Sequence, residues 1–296
     1  MDNKQKYGRV LILGRPNTGK STFLNAAMSQ KVAITSHLPQ TTRKNVKAVY
    51  SDDRGKILFI DTPGLLAKVT DLMGKKVNME VSKNINHAQV IIMMVDISRP
   101  KNEEENKALG IVRKMKAKKI LVYNKIDRAK GSKDHLAEYN YLEEEFDKTV
   151  AISAIKEKGV KSVIGAIFEL LPTKTSKEVK EEIDSLVASN RPVISMDSNE
   201  FVSEIIREKA YLCLRDEIPY TVQVEVTKIK DKKKFIYISA FIYTSNDRYK
   251  KIIIGKNGQK IKELGQMARK ELELMSQRKI YLDLKVKTDT HWMERV

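Results

Sequence analysis

The feature that most constrains this chain is the octet Gly14-Arg15-Pro16-Asn17-Thr18-Gly19-Lys20-Ser21. It lies directly behind the apolar run Val10-Leu11-Ile12-Leu13 and directly before Thr22-Phe23-Leu24-Asn25-Ala26-Ala27. Glycines let consecutive backbone N–H groups curl round an oxyanion, and the N-terminus of the helix that follows adds its partial positive charge. GxxxxGKS between a buried strand and a helix therefore predicts a loop that cradles nucleotide phosphates. Residues Gly14 to Thr22 would wrap the phosphates, Lys20 would reach the β- and γ-phosphates, and Ser21 would ligate Mg2+.

The strands that follow carry matching residues at their ends. The loop 31–43 contains Thr41 and Thr42, either of which can supply a hydroxyl to Mg2+ and the γ-phosphate; Thr42 is taken as the candidate metal ligand and as part of the catalytic set. Lys56-Ile57-Leu58-Phe59-Ile60 reads as a buried strand ending in Asp61-Thr62-Pro63-Gly64. An aspartate there can hold Mg2+ through a water, and Gly64 can offer its N–H to the γ-phosphate. The catalytic assignment is thus Lys20, Thr42 and Gly64, and the metal assignment Ser21, Thr42 and Asp61. Val90 to Asp96 is another buried run, and Lys119-Ile120-Leu121-Val122-Tyr123 leads into Asn124-Lys125-Ile126-Asp127.

Asn124-Lys125-Ile126-Asp127 predicts the base. A carboxylate in the plane of a purine accepts from both N1–H and the exocyclic amine of guanine, a pair that adenine lacks. Asp127 takes that role, Asn124 ties neighbouring loops, and the stem of Lys125 covers the base. A last short strand, 149–152, ends in Ser153-Ala154-Ile155, where the Ala154 N–H is expected to face the guanine O6. Alternating buried strands and amphipathic segments predict an α/β fold with a doubly wound, mostly parallel sheet.

After Pro172 the alternation stops. Residues 175–199 read as an exposed, charged connector, giving a nucleotide domain over 1–174 and a second domain over 200–296. The second begins with a helix marked by Ile205, Ile206, Ala210, Leu212 and Leu214. Two strands follow, over 222–226 and 235–243, and then a helix, the loop Gly255-Lys256-Asn257-Gly258, a further helix through Met275 and a strand over 280–286. This order with a GxxG loop between helices is that of a KH module, which clamps the backbone of about four single-stranded nucleotides. The candidate nucleic-acid contacts are Ile254, Gly255, Lys256, Asn257, Gly258 and Lys260.

Charge agrees with that placement. The formal net charge is +18, and residues 220–296 hold eighteen Lys and Arg against nine Asp and Glu. Half of the excess thus sits in roughly a quarter of the chain, the clustering expected of a polyanion-binding face. The single cysteine, Cys213, excludes an internal disulfide and fits a reducing cytoplasm. His37, His87, His135 and His291 are too scattered for a zinc site, and the apolar runs are too short for a signal peptide or a membrane span. The competing reading of the charge is a GTP-regulated peripheral membrane protein that lays its basic face on anionic lipid. Diffuse charge suffices for that, whereas a GxxG loop is a specific backbone clamp.

Taken with Gln40-Thr41-Thr42-Arg43, Phe201-Val202-Ser203-Glu204 and Arg215-Asp216-Glu217-Ile218-Pro219-Tyr220, these motifs make the whole chain resemble the bacterial Era GTPases. The resemblance implies a P-loop GTPase domain followed by an α+β type II KH domain, with GTP/GDP and Mg2+ as ligands. It further implies a monomer that binds the 3′ end of small-subunit ribosomal RNA and assists small ribosomal subunit assembly. The expected location is the cytoplasm, with peripheral contact at the inner face of the cell membrane. Leu65 follows Gly64 where Ras-like proteins carry a water-orienting Gln. Catalysis then falls to the phosphate loop, Lys20, Mg2+ and a monovalent cation, K+, for which Asn17 is the candidate ligand; the alternative for Asn17 is a loop-stabilising role.

Overall fold

The computed structural model describes residues 4–29, 46–61, 87–129, 133–188 and 198–292, which fall into two compact units. In the first, strands β1 (Lys4–Leu13), β2 (Val46–Asp52), β3 (Gly55–Asp61), β4 (Val90–Asp96), β5 (Lys118–Asn124) and β6 (Lys148–Ala151) lie in the order β2-β3-β1-β4-β5-β6. β3, β1, β4, β5 and β6 are parallel neighbours, and β2 forms an antiparallel hairpin with β3. Helices α1 (Lys20–Met28), α2 (Glu103–Lys114), α3 (Lys133–Ala137) and α4 (Val160–Leu170) connect them.

Every residue of β4 is buried, because a parallel sheet wound on both sides is covered on both faces and needs an unbroken apolar run. Leu11, Leu13, Ile91, Met93 and Val95 pack with Ala108, Leu109 and Val112 of α2. On the opposite face, Val10 registers with Phe59 of β3, whose ring meets Phe23 of α1 edge to face at 6.1 Å. α2 starts where the Asn102 side chain accepts from the Glu105 N–H, and β5 follows it at Lys118.

The connector expected over 175–199 is corrected in its first half. Thr175 closes β7 (Thr173–Thr175), antiparallel to the start of β1, and α5 (Ser176–Ala188) follows it within the first unit. The Thr175 N–H and Oγ1 both donate to Glu178 Oε2 (2.8 Å each), which caps the helix, and Val179 is buried. Glu182 accepts from Arg9 Nη2 (3.0 Å) and Lys174 Nζ (2.6 Å). Charges that read as solvated in sequence thus stitch α5 to β1.

The second unit runs α6 (Ser198–Cys213), β8 (Gln223–Asp231), β9 (Ile236–Thr244), α7 (Asp247–Ile254), the GxxG loop, α8 (Gln259–Ser276) and β10 (Ile280–Thr288). Its sheet has the order β10-β9-β8, with β8 antiparallel and β10 parallel to β9. A parallel neighbour needs a crossover, which the α7–loop–α8 pair supplies. Ile205, Ile206 and Ala210 of α6 pack with Ile238, Ala240 and Ile242 of β9 and with Leu264, Ala268 and Leu272 of α8. This is the α+β order anticipated for a type II KH module.

Candidate nucleotide site and nucleic-acid interface

β1 ends at Leu13 and α1 begins at Lys20, so the octet spans the C-terminal edge of the sheet, where ligands of open α/β folds bind. Three successive carbonyls are taken one by one from outside the loop. Arg99 Nη2 donates to Pro16 O (2.8 Å), Lys125 Nζ to Asn17 O (2.6 Å) and Asn124 Nδ2 to Thr18 O (2.7 Å). In a planar trans peptide the C=O and the next N–H point in opposite directions. The N–H groups of Asn17, Thr18 and Gly19 therefore face away from these donors, together, as an anion cradle requires. Lys20, itself buried, donates to Gly14 O (3.1 Å) and Arg15 O (3.0 Å) and so lies across the loop.

α1 has no side-chain cap and no acidic residue in its first turn. Its initial N–H groups are the ones a phosphate satisfies, which fits the loop to a nucleotide. Ser21 and Thr22 are half-buried in that turn. Gly19 must be glycine: its φ is +99°, and an added Cβ would lie 2.2 Å from Asn124 Nδ2. Asn124 also accepts from the Lys125 N–H (2.8 Å) and the Ala154 N–H (3.0 Å), so it ties three segments together as anticipated. The Ala154 N–H, expected to face a base, donates to Asn124 Oδ1 in this structure. Ser153 Oγ donates to Asp127 Oδ1 (2.5 Å), orienting that carboxylate, while Ile155 is exposed.

Arg15 falls among the expected ligand-facing residues, but its side chain turns inward. Its guanidinium reaches Pro100 O (3.0 Å) and Glu105 Oε2 (3.4 Å), and Tyr139 OH donates to the same carboxylate oxygen (2.7 Å). Burial drives the Glu105 carboxyl above its usual value, against the hydrogen bond from Tyr139 and the charge of Arg15. Arg15 thus contributes backbone, not side chain, to the cradle.

Asp96 and Arg99 escape the sequence reading. Asp96 ends β4, is buried, and accepts from Lys125 Nζ (2.7 Å), Ser98 Oγ (2.6 Å) and the Ser98 N–H (3.0 Å), with Arg99 Nε at 2.7 Å. Burial opposes its charge, yet the hydrogen bonds from Lys125 and Ser98 prevail and hold the carboxyl below its ordinary value. A signal is present in the sequence: a carboxylate closing a wholly apolar strand at the ligand edge needs a cationic partner.

Asp61 lies at the end of β3, in register with Ile12. Thr41, Thr42, Thr62, Pro63, Gly64 and Leu65 lie outside the described residues, as does the side chain of Asp61. Among the described residues no group of three His, Cys, Asp or Glu could hold a metal. Of the residues assigned to the metal, Ser21 is the one whose side chain lies among those described, and a hydroxyl beside phosphate oxygens is a donor set that suits Mg2+.

In the second unit, α7 ends at Ile254 and Gly255 turns the chain with φ +75°; an added Cβ would lie 2.7 Å from Lys260 Cβ. Lys256 and Asn257 are exposed at the tip, and Gly258 leads into the N-terminus of α8, which has no side-chain cap. Ile254, Gly255, Lys256, Asn257, Gly258 and Lys260 are thus contiguous, presenting a bare backbone turn, a helix N-terminus and cationic side chains.

A family model described as a 50S ribosome-binding GTPase matches residues 9–125, and a KH domain model matches residues 217–293. GTPase Era of Borreliella burgdorferi is 36% identical, with 97% of this chain and 96% of that protein covered. GTPase Era of Carboxydothermus hydrogenoformans is 37% identical, with 98% of this chain and 95% of that protein covered. The chain belongs to the Era GTPase family. A solved structure of Era in complex with MgGDPNP and nucleotides 1506–1542 of 16S ribosomal RNA superposes with a TM-score of 0.86 and 31% identity, covering 98% of this chain and 96% of that one. A single-residue variant of Aquifex aeolicus Era bound to GDP.AlF4- matches with the same score, identity and coverage. As an Era-family protein the chain is a GTPase with a C-terminal KH domain, and among the described residues no helix is long and apolar enough to cross a membrane.

Proposed function

We propose that the chain is a GTP-driven switch that binds the 3′ end of small-subunit ribosomal RNA and assists small-subunit assembly, acting as a monomer in the cytoplasm. The observation that carries this reading is the likeness, along almost its whole length, to an Era bound to both MgGDPNP and 16S RNA. The nucleotide module takes in residues up to 188 and the RNA module runs from 198.

Lys20 engages the β- and γ-phosphates, Asp127 reads guanine, and Thr42 and Gly64 sense the γ-phosphate. Ser21, with Thr42 and Asp61, would hold Mg2+, which would supply positive charge to the phosphate oxygens. Asn17, inside the phosphate loop, is the candidate to assist a K+ ion; its backbone has φ +64° and its carbonyl accepts from Lys125. The lipid-surface alternative, and with it peripheral membrane contact, draws only on diffuse charge; the bare turn at Gly255 favours RNA.

The test is the loop variant Lys256→Asp with Asn257→Asp, which points like charges at an RNA backbone. RNA affinity at fixed salt should fall at least about tenfold, while GTP turnover of the free protein stays unchanged. Undiminished RNA binding would refute the reading.

A further inference from the structure

The outer face of the KH sheet carries aromatic side chains that neither the core nor the GxxG loop uses. Along β9, Tyr237, Phe241 and Tyr243 alternate with the core-facing Ile238, Ala240 and Ile242. Tyr237 pairs with Lys230 of β8 on one side and with Tyr281 of β10 on the other. The Tyr237 and Tyr281 rings stack, with centroids 5.7 Å apart and planes 18° from parallel, and Phe235 leans toward Tyr281 at 6.5 Å. Among the described residues β10 is an edge of the sheet, with no strand beyond Tyr281. Tyr281 remains 61% exposed and Phe235 38% exposed.

This aromatic step lies in a strongly cationic setting. Residues 228–234 and 278–279 contain seven Lys and Arg and one acid, Asp231. Asp231 is itself neutralised by Arg278 (2.7 Å), whose guanidinium also takes Lys232 O (2.7 Å) and so fastens the hairpin tip beside the start of β10. Exposed rings bordered by lysines match single-stranded nucleic acid, which stacks bases on aromatic faces while its phosphates meet the cations. An anionic lipid surface uses the charge but has no base to stack. The step also lies at the far end of α8 from the GxxG loop, and an 18-residue helix spans about 27 Å. The four nucleotides that a KH loop clamps are held at the loop itself, so a base reaching this step belongs to nucleotides beyond them.

We propose that the Phe235–Tyr237–Tyr281 edge, with the hairpin lysines around it, is a second single-stranded RNA surface that stacks an unpaired base on Tyr281 beyond the strand held by the GxxG loop. The proposal rests on the RNA reading above, and two probes keep them separable. The full-length protein is titrated at fixed salt with an oligoribonucleotide of about five nucleotides, enough for the loop, and with one of about twenty. Tyr281→Ala should weaken the long RNA at least about fivefold and leave the short one unchanged, while Tyr281→Phe keeps parental affinity for both. Lys233→Glu with Lys234→Glu, at the exposed hairpin tip, should flatten the salt dependence for the long RNA alone.

Parental binding of the long RNA by Tyr281→Ala overturns the proposal. Equal losses on both probes overturn it too, because the effect then belongs to the loop or to folding. Loss of binding to anionic vesicles without loss of long-RNA binding assigns the edge to lipid and likewise overturns it. The GxxG double-Asp variant keeping the short RNA would instead refute the loop reading, whatever happens at Tyr281.

Discussion

Replacing Asp96 by Asn isolates the electrostatic hub behind the phosphate loop while preserving shape. The carboxylate is 1% exposed and bonded to Lys125, Arg99 and Ser98. An amide whose oxygen keeps the hydrogen bonds from Ser98 has no charge for the two cations and turns its own N–H donors toward both of them, since Lys125 and Arg99 share Oδ2. Breaking a fully buried ion pair costs about 3–5 kcal/mol. Here Arg99 is 38% exposed and Lys125 21%, so water compensates part of the loss, and about 1–2 kcal/mol remains. The consequence reaches the nucleotide because the same two side chains hold Pro16 O and Asn17 O. Once they are released, the Asn17, Thr18 and Gly19 N–H groups must be ordered during binding. GDP affinity should therefore fall roughly tenfold, since about 1.4 kcal/mol is a factor of ten.

Isothermal titration with GDP in Mg2+ buffer, from about pH 4 to about pH 9.5, measures this. The folded-state pKa of Asp96 lies below its ordinary value of 3.8, because the bonds from Lys125 and Ser98 outweigh burial. A depressed carboxyl contributes stability that is present above the unfolded value and is lost as pH falls through the folded one. The gap between parent and variant should thus be constant down to pH 5, and it should begin to close only in acid below the ordinary value. On the alkaline side, burial already depresses Lys125 and only Asp96 opposes that, so the variant should lose affinity at a lower pH than the parent. Parental GDP affinity across the whole range, with an unchanged melting temperature, would refute the hub.

Two further outcomes test the nucleotide assignments. Asp127→Asn should lose GTP and gain xanthosine triphosphate in competition binding, because the amide reverses one donor and acceptor; unchanged GTP preference would remove Asp127 from base reading. Turnover measured in K+ and in Na+ for the parent and Asn17→Ala should show K+ stimulation in the parent that the variant loses, and equal rates in all four cases would discard the cation.

What the sequence reveals and what it hides differ in chemistry. Gly14, Gly19 and Asn124 are legible because a positive φ, a close backbone approach and a loop-tying amide each demand a particular residue type at a fixed place. The KH order is legible because Val222, Val224 and Val226 alternate strictly on a sheet with one covered face, and Gly255 and Gly258 punctuate two helices. The remainder is hidden because its acceptors are main-chain carbonyls or distant partners. Pro16 O, Asn17 O and Thr18 O leave no trace in residue identity, and their donors Arg99, Asn124 and Lys125 lie 83 to 108 positions away. Arg15 reads as ligand-facing because Glu105 is remote in sequence, and α5 reads as solvated because Arg9, the partner of Glu182, is 173 positions distant. The octet specifies a loop able to cradle an anion; the orientation of its N–H groups is imposed by the strand ends that face it. A GxxxxGKS octet grafted without Asp96, Arg99, Asn124 and Lys125 would keep its glycines but have no outside donors to turn its carbonyls outward.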